Sequence, residues 1–142
     1  MGINLKALAD GSMGMECVGL DAGAFLFVSI PFTFNSPLLL TSAVFQRKMI
    51  LQSIIAVTDV AATNAVTATA FQAVSGVALG SGVAMNSGTV NLQATANVNV
   101  VVPLSAVAGA TQVAAGSRVG IVISGALGAA GSGVVTLAFT PA

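Results

Sequence analysis

A long stretch without any charged side chain is the strongest constraint on how this chain can fold. Between Asp59 and Arg118 the sequence contains no Asp, Glu, Lys, Arg or His and consists mainly of Ala, Val, Gly, Ser, Thr, Asn, Gln and Leu. Only 6% of all residues are charged, against about 25% in ordinary soluble domains. Because a net charge near zero promotes association, we expect much of the folded surface to be covered by copies of the chain or by a larger assembly.

The length of 142 residues indicates a single domain that is large enough to bury a hydrophobic core. The chain has no Trp or Tyr, seven Phe and a single cysteine, Cys17, so it cannot form an internal disulfide. Its stability must therefore come from many small contacts and from association. We assign residues 25–142 to a β-sandwich domain and residues 1–24 to an N-terminal arm or lead-in.

Two classes of partner are disfavoured by the charge and hydropathy pattern. Four Lys and Arg residues, of which only Arg47 and Lys48 are adjacent, do not make the basic patch of a nucleic-acid-binding protein. The most apolar window, residues 22–45, contains Pro31 and Pro37, which would interrupt a membrane-spanning helix. We therefore expect neither nucleic acid nor a membrane as a partner, although the mean hydropathy of +0.99 keeps a holin-type membrane protein as an alternative.

The first 24 residues differ from the rest because they hold half of the charged side chains and show no sustained periodicity. This composition predicts an irregular segment, which is either a poorly ordered terminus or an arm that reaches onto a neighbouring molecule. The same charges interrupt the continuous apolar core that a signal peptide needs, so we expect a cytoplasmic site of synthesis. The charged residues of the segment are Lys6, Asp10, Glu16 and Asp21.

Short alternating runs predict β-strands through the remainder of the chain. The run Phe25–Phe34 predicts a strand with Phe25, Phe27, Ser29 and Pro31 on one face and Leu26, Val28, Ile30, Phe32 and Phe34 on the other. Pro31 predicts an edge strand or a bend because it cannot donate a ladder hydrogen bond. A turn is expected at residues 35–37. Further strands are predicted within residues 66–74, 89–104, 117–124 and 134–140, with Gly-rich turns and short strands in residues 75–88.

The run from Leu38 to Val60 is more ambiguous. Its β-branched residues favour a strand in which Met49, Leu51, Ile55 and Val57 share one face and Gln52 and Thr58 share the other. A helix over residues 43–55 is the alternative. Taken together, the pattern predicts an all-β, single-domain antiparallel sandwich or jelly roll of seven or eight strands, with a β-solenoid as a minor alternative.

Catalytic and metal-binding residue types are scarce. The chain has no His and no Tyr, and three of its four carboxylates lie in the predicted arm. No Cys/His cluster could bind zinc, the run from Asp10 fails as a calcium loop at Met13 and Met15, and no Gly-Lys-Ser/Thr follows the Gly-rich stretches. We therefore predict a protein that is not an enzyme and uses no cofactor or metal.

The remaining charged residues allow two interpretations. Arg47, Lys48, Asp59 and Arg118 are either solubilising or edge-protecting surface charges, or they form ion pairs across a subunit boundary, for which the bidentate geometry of Arg is suited. On the second interpretation we predict a set of subunit or capsid contacts. These are Lys6, Asp10, Glu16, Asp21, Phe34, Arg47, Lys48, Asp59 and Arg118.

The C-terminal part of the chain supplies a family resemblance. The order of its elements is Val90–Gln93, Val102–Pro103, the run Val113–Ser124 with Ala-Gly-Ser-Arg inside it, and the final run Gly133–Pro141. This order resembles small β-sandwich decoration (cement) proteins of tailed-bacteriophage heads over residues 60–142. The sequence departs from the family at Ser117, where Asp is common, and the Phe-rich run 25–34 has no counterpart.

The resemblance implies a jelly-roll homotrimer on the outside of a virion, bound to the major capsid protein. It would bridge neighbouring capsomers against the internal pressure of packaged DNA, and residues 1–24 would be a capsid contact. The alternative from a different class is a fibre or receptor-recognition module that binds carbohydrate through its Thr, Asn and Gln side chains.

Overall fold

The described part of the chain is almost entirely β-structure. A computed structural model describes residues 3–7, 13–17, 25–33, 39–93, 95–125 and 131–142. In chain order the strands are β1 (Ile3–Ala7), β2 (Met13–Cys17), β3 (Leu26–Thr33), β4 (Leu39–Val44), β5 (Met49–Val60), β6 (Thr67–Ala73), β7 (Val83–Ala84), β8 (Val90–Asn91), β9 (Asn99–Val102), β10 (Gln112–Val113), β11 (Arg118–Ser124) and β12 (Ser132–Pro141). A short 3-10 helix, Leu79–Ser81, lies between β6 and β7.

Ten of these strands form two five-stranded antiparallel sheets. In sheet one the order is β3-β12-β5, and β9 and β10 both pair with the remaining side of β5. In sheet two the order is β4-β11-β6, and β7 and β8 both pair with β6. The chain changes sheet between β3 and β4 and again before β5, β6, β9, β11 and β12, which is the strand order of a jelly roll. The predicted all-β antiparallel sandwich is confirmed.

Strict alternation explains how the two sheets make one core. Along β12, Val135, Leu137 and Phe139 point inward and are at most 1% exposed. The Phe139 ring meets the ring of Phe45 edge to face, with their centroids 4.8 Å apart. Facing them from sheet two, β11 contributes Val119, Ile121 and Ile123, all buried. The period-2 pattern of these two strands therefore predicts their buried faces correctly.

β3 also agrees with its sequence pattern. Val28, Ile30 and Phe32 are buried, the intervening residues are exposed, and the strand lies at the edge of sheet one with β12 as its partner. The edge position explains why Pro31 is tolerated in the strand. Phe34 and the predicted turn at residues 35–37 lie outside the described residues.

The predicted faces of β5 are wrong in its second half. The pairing of β5 with β12 shifts register between Ala138 and Phe139, so that Gln52 is an extra residue. A β-bulge of this kind moves every following side chain to the other face. Ile54 is therefore buried and Thr58 is inside the sandwich, whereas Ile55 faces outward. The alternative helix over residues 43–55 is also wrong, since β4 and β5 occupy those positions.

Two further expectations need correction. The predicted strand within residues 89–104 is interrupted: β8 ends at Asn91, β9 begins at Asn99, and between them Asn97 has a φ of 61°. Asn tolerates a positive φ better than most residues, which suits its position in the connection between β8 and β9.

Near the N-terminus, β1 and β2 pair antiparallel as a separate two-stranded sheet, so the lead-in is not irregular throughout.

Candidate assembly surface

The outer face of sheet one carries an apolar surface built by strands that are distant in sequence. The register places Val101, Ile55, Thr136 and Ser29 in one row across β9, β5, β12 and β3. Since residues directly opposite one another share a side of the sheet, the neighbouring rows are fixed as well. We call this surface the sheet-one face; it consists of Phe25, Phe27, Ser29, Pro31, Ile50, Ser53, Ile55, Val57, Asn99, Val101, Gln112, Val134, Thr136, Ala138 and Thr140.

Large apolar side chains of the sheet-one face are open to solvent. Phe27 is 65% exposed and Val101 is 72% exposed, although each belongs to a well-paired strand. The Phe25 and Phe27 rings stack on each other with centroids 6.0 Å apart. Exposed apolar side chains that occur singly are ordinary, but here they share one sheet face, with Phe27 at one edge, Val101 at the other and Ile55 beside Val101, and such grouping is typical of an interaction site.

Two pairs of polar side chains in this region engage one another. The hydroxyls of Ser29 and Thr136 lie 3.3 Å apart across β3 and β12. At the bulge, Gln52 Nε2 donates to Thr140 Oγ1 at 2.9 Å. Since a hydrogen-bonded polar group costs less to bury than an unpaired one, these two pairs lower the cost of covering this part of the face.

The outer face of sheet two is partly covered by the chain itself, although Leu39 on this face is 51% exposed. The segment Val74–Gly82, which we call the cover segment, places the 3-10 helix over β11, and Leu79 is 2% exposed there. Gly120 makes the close approach possible, because a Cβ at this position would lie 2.7 Å from Leu79 Cδ2. Arg118 Nη2 donates to the carbonyl oxygen of Val77 and ties the segment to the sheet.

The predicted contact residues do not converge on one surface. Arg47 and Lys48 are exposed in the connection between β4 and β5, and Asp59 is exposed near the far end of β5, roughly 30–35 Å away at strand spacing. Arg118 is half-buried at the start of β11, and its Nε is buried without a hydrogen-bond partner among the described residues. These charges therefore lie towards the ends of the sandwich and leave the sheet-one face uncharged.

The N-terminal members of the predicted contact set are only partly described. Lys6 lies in β1 and Glu16 in β2, and the register places Asn4 opposite Glu16 and Lys6 opposite Gly14. Asp10 and Asp21, together with Phe34, lie outside the described residues. The structure therefore neither gathers these residues into a site nor separates them.

Chemistry-bearing groups are sparse in the described ranges. Among those residues no three His, Cys, Asp or Glu come together as a metal site, and none of the helices is long and apolar enough to cross a membrane. A depression of about 250 Å³ lies between the end of β6 and the cover segment, with Val74, Val77 and Val83 in its lining. Its apolar lining offers no obvious nucleophile or acid–base pair.

Sequence reasoning identified one strand of the sheet-one face and missed the others. The alternation of residues 25–34 places Phe25, Phe27 and Pro31 on one side, but the expected faces of β5 put Ile55 on the wrong side. No local signal marks the bulge at Gln52. Comparison of the chain with protein-family models, curated proteins and solved structures found no match.

Proposed function

We propose that this protein is a structural, non-enzymatic component that associates with copies of itself through the sheet-one face and decorates the outside of a tailed-phage capsid. The observation that carries the proposal is an uncharged sheet face with exposed Phe27 and Val101 on a sandwich whose other outer face is partly covered by the chain itself. Self-association would remove Phe27 and Val101 from water, which is the main favourable term in protein association. Location on the capsid exterior, contact with the major capsid protein and a trimeric state follow from the family resemblance.

The size of the sheet-one face suits an association surface. The sheet-one face is four strands wide and about seven residues long, which at ordinary strand spacing and rise per residue gives an area of ~450 Å². The largest apolar patch of a typical monomer covers about 300–600 Å² and is often functional. The footprint of the face therefore lies within the size range of patches that are often functional, and two such faces packed together would bury about 900 Å², which corresponds to a weak association.

One observation favours a second function. The stacked and exposed Phe25 and Phe27 rings could stack on a sugar, and jelly-roll domains include lectins as well as capsid proteins. The absence of Trp and Tyr and the lack of charged groups around the rings make this the weaker proposal. Binding of the purified protein to a glycan array, lost on Phe27→Ala, would support it over the structural function.

The proposal is tested by a pair of substitutions matched in exposure. Val101 is 72% exposed on the sheet-one face, and Val107 is 69% exposed in the connection between β9 and β10. Val101→Asp places a carboxylate where the partner must pack, and burying an unpaired charge raises the dissociation constant of the oligomer by a factor of about 100 or more. Val107→Asp adds the same charge elsewhere and should leave association unchanged.

The measurement is light scattering over a concentration series, with circular dichroism to show that each variant keeps its β-structure. A wild-type chain that stays monomeric at tens of micromolar, or a Val101→Asp chain that associates as well as wild type, contradicts the self-association proposal. Co-sedimentation with capsids of tailed phages tests the decoration role separately. Failure to bind any capsid while the oligomer persists would remove the capsid partner but keep the assembly surface.

A further inference from the structure

The strands at the edges of the two sheets carry no charge. Among the described strands, β3 ends sheet one and β4 ends sheet two, and the short strands β7, β8, β9 and β10 lie at the opposite edges. Arg47, Lys48, Asp59 and Arg118 all lie outside these edge strands. A sheet edge presents unpaired N–H and C=O groups that can pair with a strand of another molecule, and charged side chains are one common protection. The edges of this sandwich therefore depend on other features.

Short length or a bulge protects every edge of the described sandwich except that of β3. β7, β8 and β10 have two residues each and β9 has four, which leaves little for another strand to pair with. In β4 the pairing with β11 shifts between Val119 and Gly120, so Ser42 is an extra residue and the strand is bent there. Short edge strands and bulges both prevent edge-to-edge pairing.

β3 is a long and regular edge strand with a single interruption. Its eight residues pair with β12 without a register shift. Leu26 is 37% exposed and Phe27 is 65% exposed, so this edge is accessible to solvent. Long, regular and apolar edge strands are typical sites of aggregation, and uncharged runs of aromatic and β-branched residues without proline are typical of fibril-forming segments. Pro31 is the only residue of β3 that departs from that description.

The position of Pro31 directs its effect towards the free edge. In an antiparallel ladder, successive residues point their N–H and C=O groups alternately to the two sides of the strand. Because the pairing with β12 continues through Pro31 and Val134, the missing N–H falls on the side away from β12, as do the backbone groups of Phe27 and Ser29. A strand added to β3 would therefore lack one donor and meet the proline ring within its ladder.

We infer that Pro31 closes the free edge of β3 against strand addition by another copy of the chain and so prevents growth into a fibril. The inference goes beyond the proposed function, because it concerns the edge of sheet one and holds whether or not the sheet-one face associates. It assigns two separate roles to one strand. The side chain of Phe27 is available for contact, while the backbone edge is withdrawn from pairing.

A pair of threonine substitutions tests the inference. Pro31→Thr restores the N–H without adding an apolar side chain, and Val134→Thr is the matched control, because Val134 lies opposite Pro31 but in the central strand β12, which has no free edge. In thioflavin T assays of the full-length chains at equal concentration, Pro31→Thr should form fibrils about 10-fold faster than wild type or more, and Val134→Thr should stay within about 2-fold. Electron microscopy identifies the product as fibrils.

A rescue variant separates edge protection from a loss of stability. Ser29→Pro, added to Pro31→Thr, places a proline at a position with the same backbone orientation, so the ladder with β12 is kept. Fibril formation should return to within about 2-fold of the wild-type rate. The Tm should not rise, because replacing Ser29 also removes its contact with Thr136. Circular dichroism checks that each variant keeps its β-structure and gives the Tm.

The outcomes decide between edge protection and general aggregation. Fibril formation by Pro31→Thr at the wild-type rate, or equal acceleration by Val134→Thr, would overturn the inference. A folded double variant that forms fibrils as fast as Pro31→Thr alone would overturn it as well. If wild type is monomeric in light scattering, the proposed self-association fails, and the comparison of Pro31→Thr with wild type still decides the role of Pro31.

Discussion

The two outer faces of the sandwich differ in what covers them. The segment Val74–Gly82 covers the part of sheet two around Gly120 with its buried Leu79 but leaves Leu39 half exposed, whereas sheet one leaves Phe27 and Val101 exposed with no such segment over them. Antiparallel sheets ordinarily give their open side polar residues, and neither outer face follows that pattern fully. The comparison teaches that a local segment of the chain can cover part of one apolar sheet face, while the other face has no such cover among its most exposed residues.

The largest change in stability is expected from a substitution at Gly120, where the cover segment contacts sheet two. Gly120→Ala adds a Cβ that meets Leu79 Cδ2 at 2.7 Å and also collides with the backbone of β4 at Leu40. Because the backbone cannot move as a flexible side chain does, we expect a loss of about 3 kcal/mol in the free energy of unfolding. Thermal unfolding should show a fall in Tm of about 10 °C for a domain of this size.

Gly80→Ala is the matched control in the cover segment itself. A Cβ there would lie 3.7 Å from Leu39 Cδ2, which is an ordinary van der Waals contact. Its Tm should stay within about 2 °C of wild type, since substitutions without strain or cavities change stability by about 0.5 kcal/mol or less. Similar losses in the two variants would show that the cover segment does not approach β11 as closely as described.

The next effect compares the same type of truncation on the two faces. Leu79→Ala removes a buried side chain and should lower the free energy of unfolding by about 2–3 kcal/mol. Phe27→Ala removes a larger side chain that is 65% exposed, so its effect on the unassociated chain should stay below about 1 kcal/mol. Both losses can be measured by urea unfolding in a Val101→Asp background, where association is weakened. A larger loss for Phe27→Ala than for Leu79→Ala would contradict the description of Leu79 as buried and Phe27 as exposed.

The smallest effect is expected at the tether between Arg118 and the cover segment. Arg118→Met keeps an unbranched side chain over β11 but removes the hydrogen bond to the Val77 carbonyl oxygen. The loss should be about 1 kcal/mol or less, because the variant also removes the unpartnered Nε. Amide hydrogen exchange should accelerate in residues 74–82 and remain unchanged in β12; faster exchange throughout would indicate a role in the whole fold.

The sequence predicts strands well where one face is buried and the alternation is unbroken. In β11 and β12 the large buried side chains follow from the period of two, although the small residues Gly120 and Ala138 on the outer side are buried as well. β5 does not meet that condition, since Ile54 and Ile55 are equally apolar and only the register shift at Gln52 decides which of them is buried. A bulge depends on pairing with β12, which is more than 70 residues away in sequence.

The candidate surface was harder to predict than the fold. Gly-rich residues 75–88 indicate turns, but composition cannot show that Leu79 packs over Gly120 and covers sheet two. The sheet-one face likewise depends on register across four strands. From the sequence, contacts were predicted mainly at charged residues. The structure places Arg47 and Asp59 away from the sheet-one face, and no described residue of the predicted contact set belongs to that face.

The central position of β12 has a consequence for how the protein is made. β3 and β5 do not pair with each other, and β12 joins them as the last strand of the sandwich. At bacterial or eukaryotic synthesis rates of about 5–20 residues per second, the roughly 100 residues between β3 and β12 take about 5–20 s to translate. During that time sheet one lacks the strand that joins β3 to β5, so both strands expose unpaired edges in the nascent chain. We therefore expect the nascent chain to depend on chaperones until β12 has left the ribosome.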